Sequence, residues 1–206
     1  MRDDGMVHVV EDDPAMRDSL VLLLRSAGLR ALGYANAEEF LAEDGRDEPI
    51  CLVADVRLPG MDGLALYKRL VSLGGEPAVV MITGHGDIPM AVAALKAGAL
   101  DFVTKPFNPA HLLESVREAL EHAKERRLER ARADDVSSRM QALTPRETEV
   151  LSLLVSGEPN KVIASKLGIS VRTAEHHRAS VMEKMRVRTL SQLIRTALGR
   201  LHGSSD

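Results

Sequence analysis

The segment Met6-Val-His-Val-Val-Glu-Asp-Asp-Pro14 joins a short apolar run to three consecutive acids and a proline. Five residues rich in valine are typical of a buried β-strand, and Asp13 followed by Pro14 is typical of a helix start. The segment therefore predicts a strand whose carboxyl end leads directly into an acidic loop and then a helix.

The alternation of strand and helix continues over roughly the first hundred residues. Further predicted strands cover residues 30–34, 50–54, 78–82 and 101–103. The stretches between them are long enough for right-handed helical crossovers, and Asn36 and Asp62 supply further helix-start signals. The pattern predicts an α/β domain with a flavodoxin-like, doubly wound, five-stranded parallel sheet.

The C-terminal part of the sequence predicts four helices and no strand. Thr144, Pro145 and Glu147 form a capping-box pattern at the first helix, which should end near Gly157. The other predicted helices cover residues 160–167, 171–185 and 190–198. Two helices joined by a short turn at Gly168 indicate an all-α helix-turn-helix domain.

The proposed domains are residues 1–122, a charged helical linker over 123–140, and the helical domain over 141–206. The last helix of the first domain should lose its apolar face after Lys124 and end near Asp134, where turn-prone polar residues accumulate.

Composition narrows the functional classes. The 206-residue chain has a net charge of -3, so a DNA-binding surface must be local, and 2% aromatic residues without Trp argue against base-stacking platforms. The single cysteine, Cys51, lies in an apolar run and predicts a core residue in a reducing compartment. No segment has the length and apolarity of a membrane span or a signal peptide, so we expect a cytoplasmic protein without a membrane partner.

Polar residues follow four of the predicted strands. Glu11 and Asp12 follow the first, Asp55 the third, Thr83 the fourth and Lys105 the fifth. Ligands of doubly wound folds bind at this edge of the sheet, and crowded carboxylates suit Mg²⁺. The set predicts phosphoryl transfer to Asp55, with Lys105 offsetting charge and Thr83 binding the phosphoryl group. The simpler alternative is that each acid merely caps a helix.

The spacing of these residues, with Thr83-Gly84 and Lys105-Pro106-Phe107, resembles the receiver domains of two-component systems. The resemblance implies that Asp55 accepts phosphate from a sensor histidine kinase. It also implies that Asp12, Asp55 and the Arg57 carbonyl ligate Mg²⁺, that Glu11 assists, and that Phe102 is a switch residue. Glu11 replaces the commoner aspartate, which leaves direct and water-mediated metal contact open. His85 is expected to shape the loop after Thr83.

The segments Leu143–Val150, Asn160–Gly168 and Ser170–Arg178 resemble the LuxR-type output domain, and the whole organisation resembles FixJ-type regulators. By its pattern of residues, the helix over 171–185 can enter a major groove, with Ala174, Val181 and Met185 facing the bundle and polar residues outside. The resemblance implies that Glu175, His176 and Ala179 face base edges and that Lys161, Arg172 and Arg178 are placed to contact phosphates. The simpler alternative is that these are ordinary surface residues. Adjacent helical histidines, His176 and His177, point about a hundred degrees apart, so we exclude a zinc site.

We therefore expect a response regulator, not an enzyme, which dimerises through residues 88–97 and the fifth strand when Asp55 is phosphorylated and then binds promoter DNA. By analogy it would activate transcription with RNA polymerase. Two alternatives remain. A Mg²⁺-dependent aspartyl phosphatase would need an acid where this chain has Arg57. The second alternative is a constitutive DNA-binding or scaffold protein whose receiver domain is never phosphorylated.

Overall fold

The computed structural model describes residues 5–43, 51–84 and 88–202, without the side chains of residues 88, 91 and 199–202. These residues form two compact units, which divide between Leu128 and Glu129. The predicted domain ranges of 1–122, 123–140 and 141–206 stay a prediction.

The N-terminal unit contains a five-stranded parallel sheet. Its strands are β1 Met6–Val10, β2 Arg30–Tyr34, β3 Cys51–Asp55, β4 Ala78–Thr83 and β5 Asp101–Thr104. They are arranged in the order β2-β1-β3-β4-β5, and every neighbouring pair is parallel. The chain therefore reverses its winding direction between β1 and β3, which confirms the predicted doubly wound fold.

Three strands extend one residue further than predicted. Asp55 and Thr83 are the last residues of β3 and β4, rather than the residues after them, and β5 ends at Thr104. The ladder continues at these positions because Asp55 is paired with Ile82, and Thr83 with Thr104. Ile50, the predicted start of the third strand, lies outside the described residues.

Helices cover both faces of the sheet. They are α1 Pro14–Ser26, α2 Ala37–Ala42, α3 Gly63–Ser72, α4 Ile88–Lys96 and α5 Pro109–Gln141. Asp13, Asn36 and Asp62 accept backbone hydrogen bonds at the starts of α1, α2 and α3, as their sequence signals predicted.

Successive strand residues point to opposite faces, so the sheet separates two cores. Leu52 packs with Phe40 and Leu66 on one face, whereas Val53 packs with Leu20 and Leu112 on the other. Cys51 is buried in the second core, and desolvation by burial raises the pKa of its thiol to about 12. Its predicted role as a core residue is therefore confirmed.

The C-terminal unit is helical. Its later helices are α6 Pro145–Val155, α7 Asn160–Leu167, α8 Val171–Lys184 and α9 Leu190–His202. The capping box at Thr144 is present, and Gly168 ends α7 with a left-handed φ of 64°. Val150, Leu154, Ile163, Val181 and Leu193 form the centre of a third core.

The prediction that the helix after the sheet ends near Asp134 is wrong, because α5 continues to Gln141. Two contacts outweigh the low helix propensity of the aspartates and serines there. Asp135 forms an ion pair with Arg139 one turn later, and Val136 and Met140 pack against the third core.

None of the helices within the described ranges is long and apolar enough to span a membrane.

Candidate functional site

An acidic pocket lies at the carboxyl edge of the sheet, beside the reversal between β1 and β3. Glu11, Asp12 and Asp55 each bring a carboxylate oxygen to it, and these oxygens all lie within 4.8 Å of one another. Glu11 and Asp55 are only 2% and 7% exposed, whereas Asp12 is open to solvent. The three predicted acids therefore converge.

Lys105 balances the two buried acids. Its Nζ donates to Glu11 Oε2 at 2.8 Å and to Asp55 Oδ2 at 2.5 Å. Its backbone N–H donates to the Thr83 carbonyl at 2.7 Å, which ties the residue after β5 to the end of β4. The predicted ammonium is thus in direct contact with the predicted phosphoacceptor.

The closeness of these charged groups shifts the pKa values of Glu11 and Lys105. Burial raises the pKa of Glu11, and the charge of Asp55 adds to the increase, while the hydrogen bond from Lys105 opposes it. Burial lowers the pKa of Lys105, but its hydrogen bonds to Asp55 and Glu11 outweigh burial and raise this pKa overall. The ammonium therefore stays charged at neutral pH and partly compensates the carboxylates.

Two residues that the sequence did not reveal support the acidic loops. Arg17 on α1 donates to the backbone carbonyls of Glu11 and Asp12 at 2.8 and 3.3 Å. At Gly63, the first residue of α3, an added Cβ would lie 2.3 Å from the Asp55 carbonyl oxygen. Glycine after a helix cap was visible in the sequence, but nothing there indicated this close backbone approach.

The other predicted residues of the receiver site have separate contacts. Asp55 Oδ1 accepts a hydrogen bond from the Arg57 N–H at 2.9 Å. Thr83 is fully buried and its hydroxyl donates to the Gly84 carbonyl at 3.2 Å, while Phe102 is partly buried against the first core. The predicted roles of Thr83, Phe102 and the Arg57 carbonyl stay predictions. His85 lies outside the described residues.

The donor set of the pocket fits Mg²⁺. Clustered carboxylate oxygens, one of them exposed, are hard ligands, and an open side leaves room for the waters that Mg²⁺ retains. Among the described residues, no other group of three or more acids, histidines and cysteines comes close enough together to hold a metal ion. His176 and His177, whose ring centroids are 6.2 Å apart, do not belong to the acidic pocket.

Helix α8 presents a second candidate surface. Ala174, Val181 and Met185 are buried, as predicted for the side that faces the bundle. The opposite side is exposed at four predicted DNA-contact positions: Arg172, Glu175, His176 and Ala179. Lys161 on α7 is exposed too, whereas Arg178 is half-buried and donates to Asn160 Oδ1 at 3.2 Å.

A buried carboxylate connects α6 to α8. Glu147 is 5% exposed and accepts from Ser180 Oγ at 2.5 Å, from Lys184 Nζ at 2.6 Å and from the Thr144 N–H at 2.8 Å. The hydrogen bond from Lys184 is the largest cause that lowers the pKa of Glu147 to about 2. The sequence predicted the cap at Thr144 but not the two contacts with α8.

Comparison with known proteins assigns both units to described families. The response regulator receiver domain matches residues 7–117, and the luxR family of bacterial regulatory proteins matches residues 141–197.

Several curated relatives cover nearly the whole chain. The transcriptional regulatory protein FixJ of Azorhizobium caulinodans is 45% identical over 192 residues, which cover 93% of this chain and 91% of that protein. FixJ of Rhizobium meliloti is 43% identical over 202 residues, with coverages of 98% and 99%. The response regulator protein TodT of Pseudomonas putida is 40% identical, with coverages of 93% and 84%.

Solved structures of response regulators are also similar to nearly the whole of this chain. The response regulator StyR is 40% identical, with a TM-score of 0.86 over 94% of this chain and 98% of that one. Full-length FixJ from B. japonicum is also 40% identical, with a TM-score of 0.56 over 96% and 98% of the two chains.

The substitution Gly63→Ala should destabilise the N-terminal unit by about 1–3 kcal/mol, because its Cβ would displace the backbone of Asp55. Both tyrosines of the chain, Tyr34 and Tyr67, lie in this unit and there is no Trp, so tyrosine fluorescence in urea monitors its unfolding. Gly5→Ala is the control, because its Cβ would be 3.4 Å from the nearest side-chain atom. Equal stability of the two variants would contradict the close approach.

The substitution Glu147→Gln should lower the free energy of unfolding at pH 7 by about 1–3 kcal/mol, because charged hydrogen bonds to α8 are weakened. The folded-state pKa, about 2, lies below the ordinary value of 4.5, so the ionised form stabilises the fold. That contribution is complete above pH 4.5 and is lost as the pH falls through about 2. Denaturation followed by circular dichroism should show the difference from wild type shrinking across this window.

The control for this experiment is Glu149→Gln, which removes an exposed carboxylate on the same helix that pairs with Arg146. A pH-independent difference between wild type and Glu147→Gln would show that the charge of Glu147 does not stabilise the unit.

Proposed function

This chain belongs to the two-component response regulators that join a receiver domain to a LuxR-type DNA-binding domain, and we propose that phosphorylation of Asp55 switches it into a DNA-binding dimer. The observation that carries this proposal is the contact of a nearly buried Asp55 with Lys105 inside a cluster of three acids. Regulation of transcription through phosphorylation is the activity of the family, and its partners are a histidine kinase and DNA.

The proposed reaction transfers a phosphoryl group from a kinase phosphohistidine. An Asp55 carboxylate oxygen forms a bond to phosphorus as the bond between phosphorus and the imidazole nitrogen breaks, and the imidazole leaves. Lys105 then shifts its hydrogen bond from Asp55 Oδ2 to a phosphoryl oxygen, while the Arg57 N–H keeps Asp55 Oδ1 in place.

We propose that Mg²⁺ binds to Glu11, Asp12, Asp55 and the Arg57 carbonyl. When bound, it supplies positive charge for the phosphoryl oxygens and for the carboxylates. Arg17 supports this arrangement, because it holds the two carbonyls of the loop that carries Glu11 and Asp12.

The proposed switch consists of Thr83 and Phe102. The Thr83 hydroxyl exchanges the Gly84 carbonyl for a phosphoryl oxygen, and Phe102 moves inward to fill the space that Thr83 leaves. Phe102 also lines an open pocket of about 340 Å³ together with Phe107 and His111, among others, so its ring is not enclosed on every side. The movement would create a dimer face from residues 88–97 and β5.

Dimerisation would bring two output domains to two DNA half-sites, so that each domain can bind weakly on its own. We propose that Glu175, His176 and Ala179 contact base edges and that Lys161, Arg172 and Arg178 contact phosphates. The exposure of five of these six side chains supports the assignment.

We also propose that the dimer works in the cytoplasm and activates transcription with RNA polymerase.

An aspartyl phosphatase remains the competing function. It also needs a nucleophilic aspartate and a lysine, but it needs a second acid two residues after the nucleophile, where this chain has Arg57. We therefore propose that the chain holds its phosphoryl group as a signal and does not act as a turnover enzyme.

After treatment with acetyl phosphate and Mg²⁺, wild type should gain one phosphoryl group by intact mass and form a dimer by light scattering. Asp55→Asn should do neither, because it lacks the nucleophile, whereas Asp18→Asn, with an exposed acid on α1 changed, should behave as wild type. A dimer shift in Asp55→Asn would rule out the proposed switch. Phosphate release over many turnovers would favour the phosphatase.

Phosphate contacts and base contacts proposed for α8 can be told apart by measuring Kd for DNA. The DNA used is a duplex that the phosphorylated wild type selects from a random library. Arg172→Gln should weaken binding to all duplexes and reduce the slope of log Kd against log salt by about 1, because one phosphate contact is lost. Glu175→Gln should change base preference at one position by about 1–3 kcal/mol. An unchanged salt slope for Arg172→Gln would contradict a phosphate contact.

A further inference from the structure

The last two turns of α5 belong to the C-terminal unit and contain a contact that the proposed function does not use. Val136 and Met140 lie against the third core, and Arg139 lies between them in sequence. The guanidinium of Arg139 donates from Nη1 to the backbone carbonyl of Met185 at 3.0 Å. Met185 is the C-cap of α8, so an α5 residue contacts the end of the proposed DNA-contacting helix directly.

Asp135 holds the Arg139 side chain in this position. Arg139 Nε donates to Asp135 Oδ1 at 3.2 Å, and its Nη2 pairs with Asp135 Oδ2. The Arg139 side chain is 23% exposed, so it is partly screened from water. A cation at the C-terminal end of α8 is also favoured by the helix dipole.

The turn that follows α8 has an unfavourable backbone conformation. Arg186 has a φ of 54°, the one positive φ of a non-glycine residue among the described parts of the chain. Its N–H donates to the Glu183 carbonyl at 2.9 Å, and the Val187 N–H donates to the Met182 carbonyl at 3.0 Å. This hydrogen-bond pair is a Schellman motif, in which glycine normally occupies the left-handed position.

The two observations concern one peptide group. The Met185 carbonyl and the Arg186 N–H belong to the same planar unit, and Arg139 holds one end while Glu183 holds the other. The rotation of this unit determines both the end of α8 and the left-handed conformation of Arg186. Without the Arg139 contact, this peptide group would be free to rotate at Arg186, the residue whose left-handed conformation is unfavourable.

We propose that Arg139 is a positioning residue for DNA binding, which fixes the C-terminal turn of α8 through the Met185 carbonyl. The proposal rests on the proposed function, because it assumes that α8 contacts DNA. Arg139 itself touches no DNA in this scheme. It acts by keeping α8 in one orientation on the third core, so that Arg172, Glu175 and His176 meet DNA together.

The test uses the full chain, treated with acetyl phosphate and Mg²⁺, and the duplex that wild type selects from a random library. Arg139→Gln should weaken binding about tenfold, as expected if the binding-competent orientation of α8 falls to about a tenth of the population, and Arg139→Lys should lose less. The matched control is Arg126→Gln, which removes an arginine of the same helix that pairs with Glu76. It should bind within about twofold of wild type.

A second variant identifies the mechanism. Glycine adopts the left-handed conformation without steric cost, so Arg186→Gly should make the turn less dependent on Arg139. The effect of Arg139→Gln, measured as a ratio of Kd values, should therefore be several-fold smaller in the Gly background than in wild type. An equal ratio in both backgrounds would overturn the proposed action through this turn.

Hydrogen exchange separates this inference from the proposed function, because it needs no DNA. The amides of Arg186 and Val187 should exchange faster in Arg139→Gln than in wild type, while those at the centre of α8 stay protected. If exchange is unchanged, Arg139 does not position the turn. If exchange is faster but wild type selects no duplex, the proposed DNA binding fails and the positioning role at α8 stands.

Discussion

Repulsion among the carboxylates of Glu11, Asp12 and Asp55 is the constraint on which the receiver site depends. Two of these acids are almost fully buried, and Lys105 pairs with both. A parallel sheet brings the four groups together because their strands all end at one edge. The same crowding that costs stability provides a group of acids that fits Mg²⁺ and places a cation beside the proposed nucleophile, so the unfavourable arrangement is also the one that the proposed function needs.

The supporting contacts around this pocket are mostly made by the backbone. Arg17 holds carbonyls of the first acidic loop, the Arg57 N–H holds Asp55, and Gly63 permits α3 to begin against the Asp55 carbonyl. Such contacts orient the acidic groups through backbone N–H and C=O groups, and the guanidinium of Arg17 adds a positive charge beside the first acidic loop. They also mean that the geometry of Asp55 depends on Gly63, which carries no chemistry of its own, as well as on the backbone of Arg57.

In the helical unit, α8 is likewise held in place by contacts with neighbouring helices. Glu147 ties Ser180 and Lys184 to α6, and Arg139 ties the end of α8 to α5. In both cases a charged side chain that is largely shielded from water holds the helix whose outer side is proposed to meet DNA. The exposed residues of α8 are thus left available, because the contacts that orient the helix lie on its other sides.

Much of this organisation was already determined by the sequence. Alternating apolar runs and caps specified the strands and most helices, and the acids and lysine at or just after the strand ends specified the pocket, because strand ends in a parallel sheet necessarily converge. Tertiary structure decided the length of α5, because the packing of Val136 and Met140 against the third core adds to the local pair of Asp135 with Arg139 and outweighs weak propensity. It alone decided the contacts of Gly63, Glu147 and Arg139, since no local pattern records the close approach of Gly63 to Asp55, and the other two residues reach groups 37 and 46 positions away.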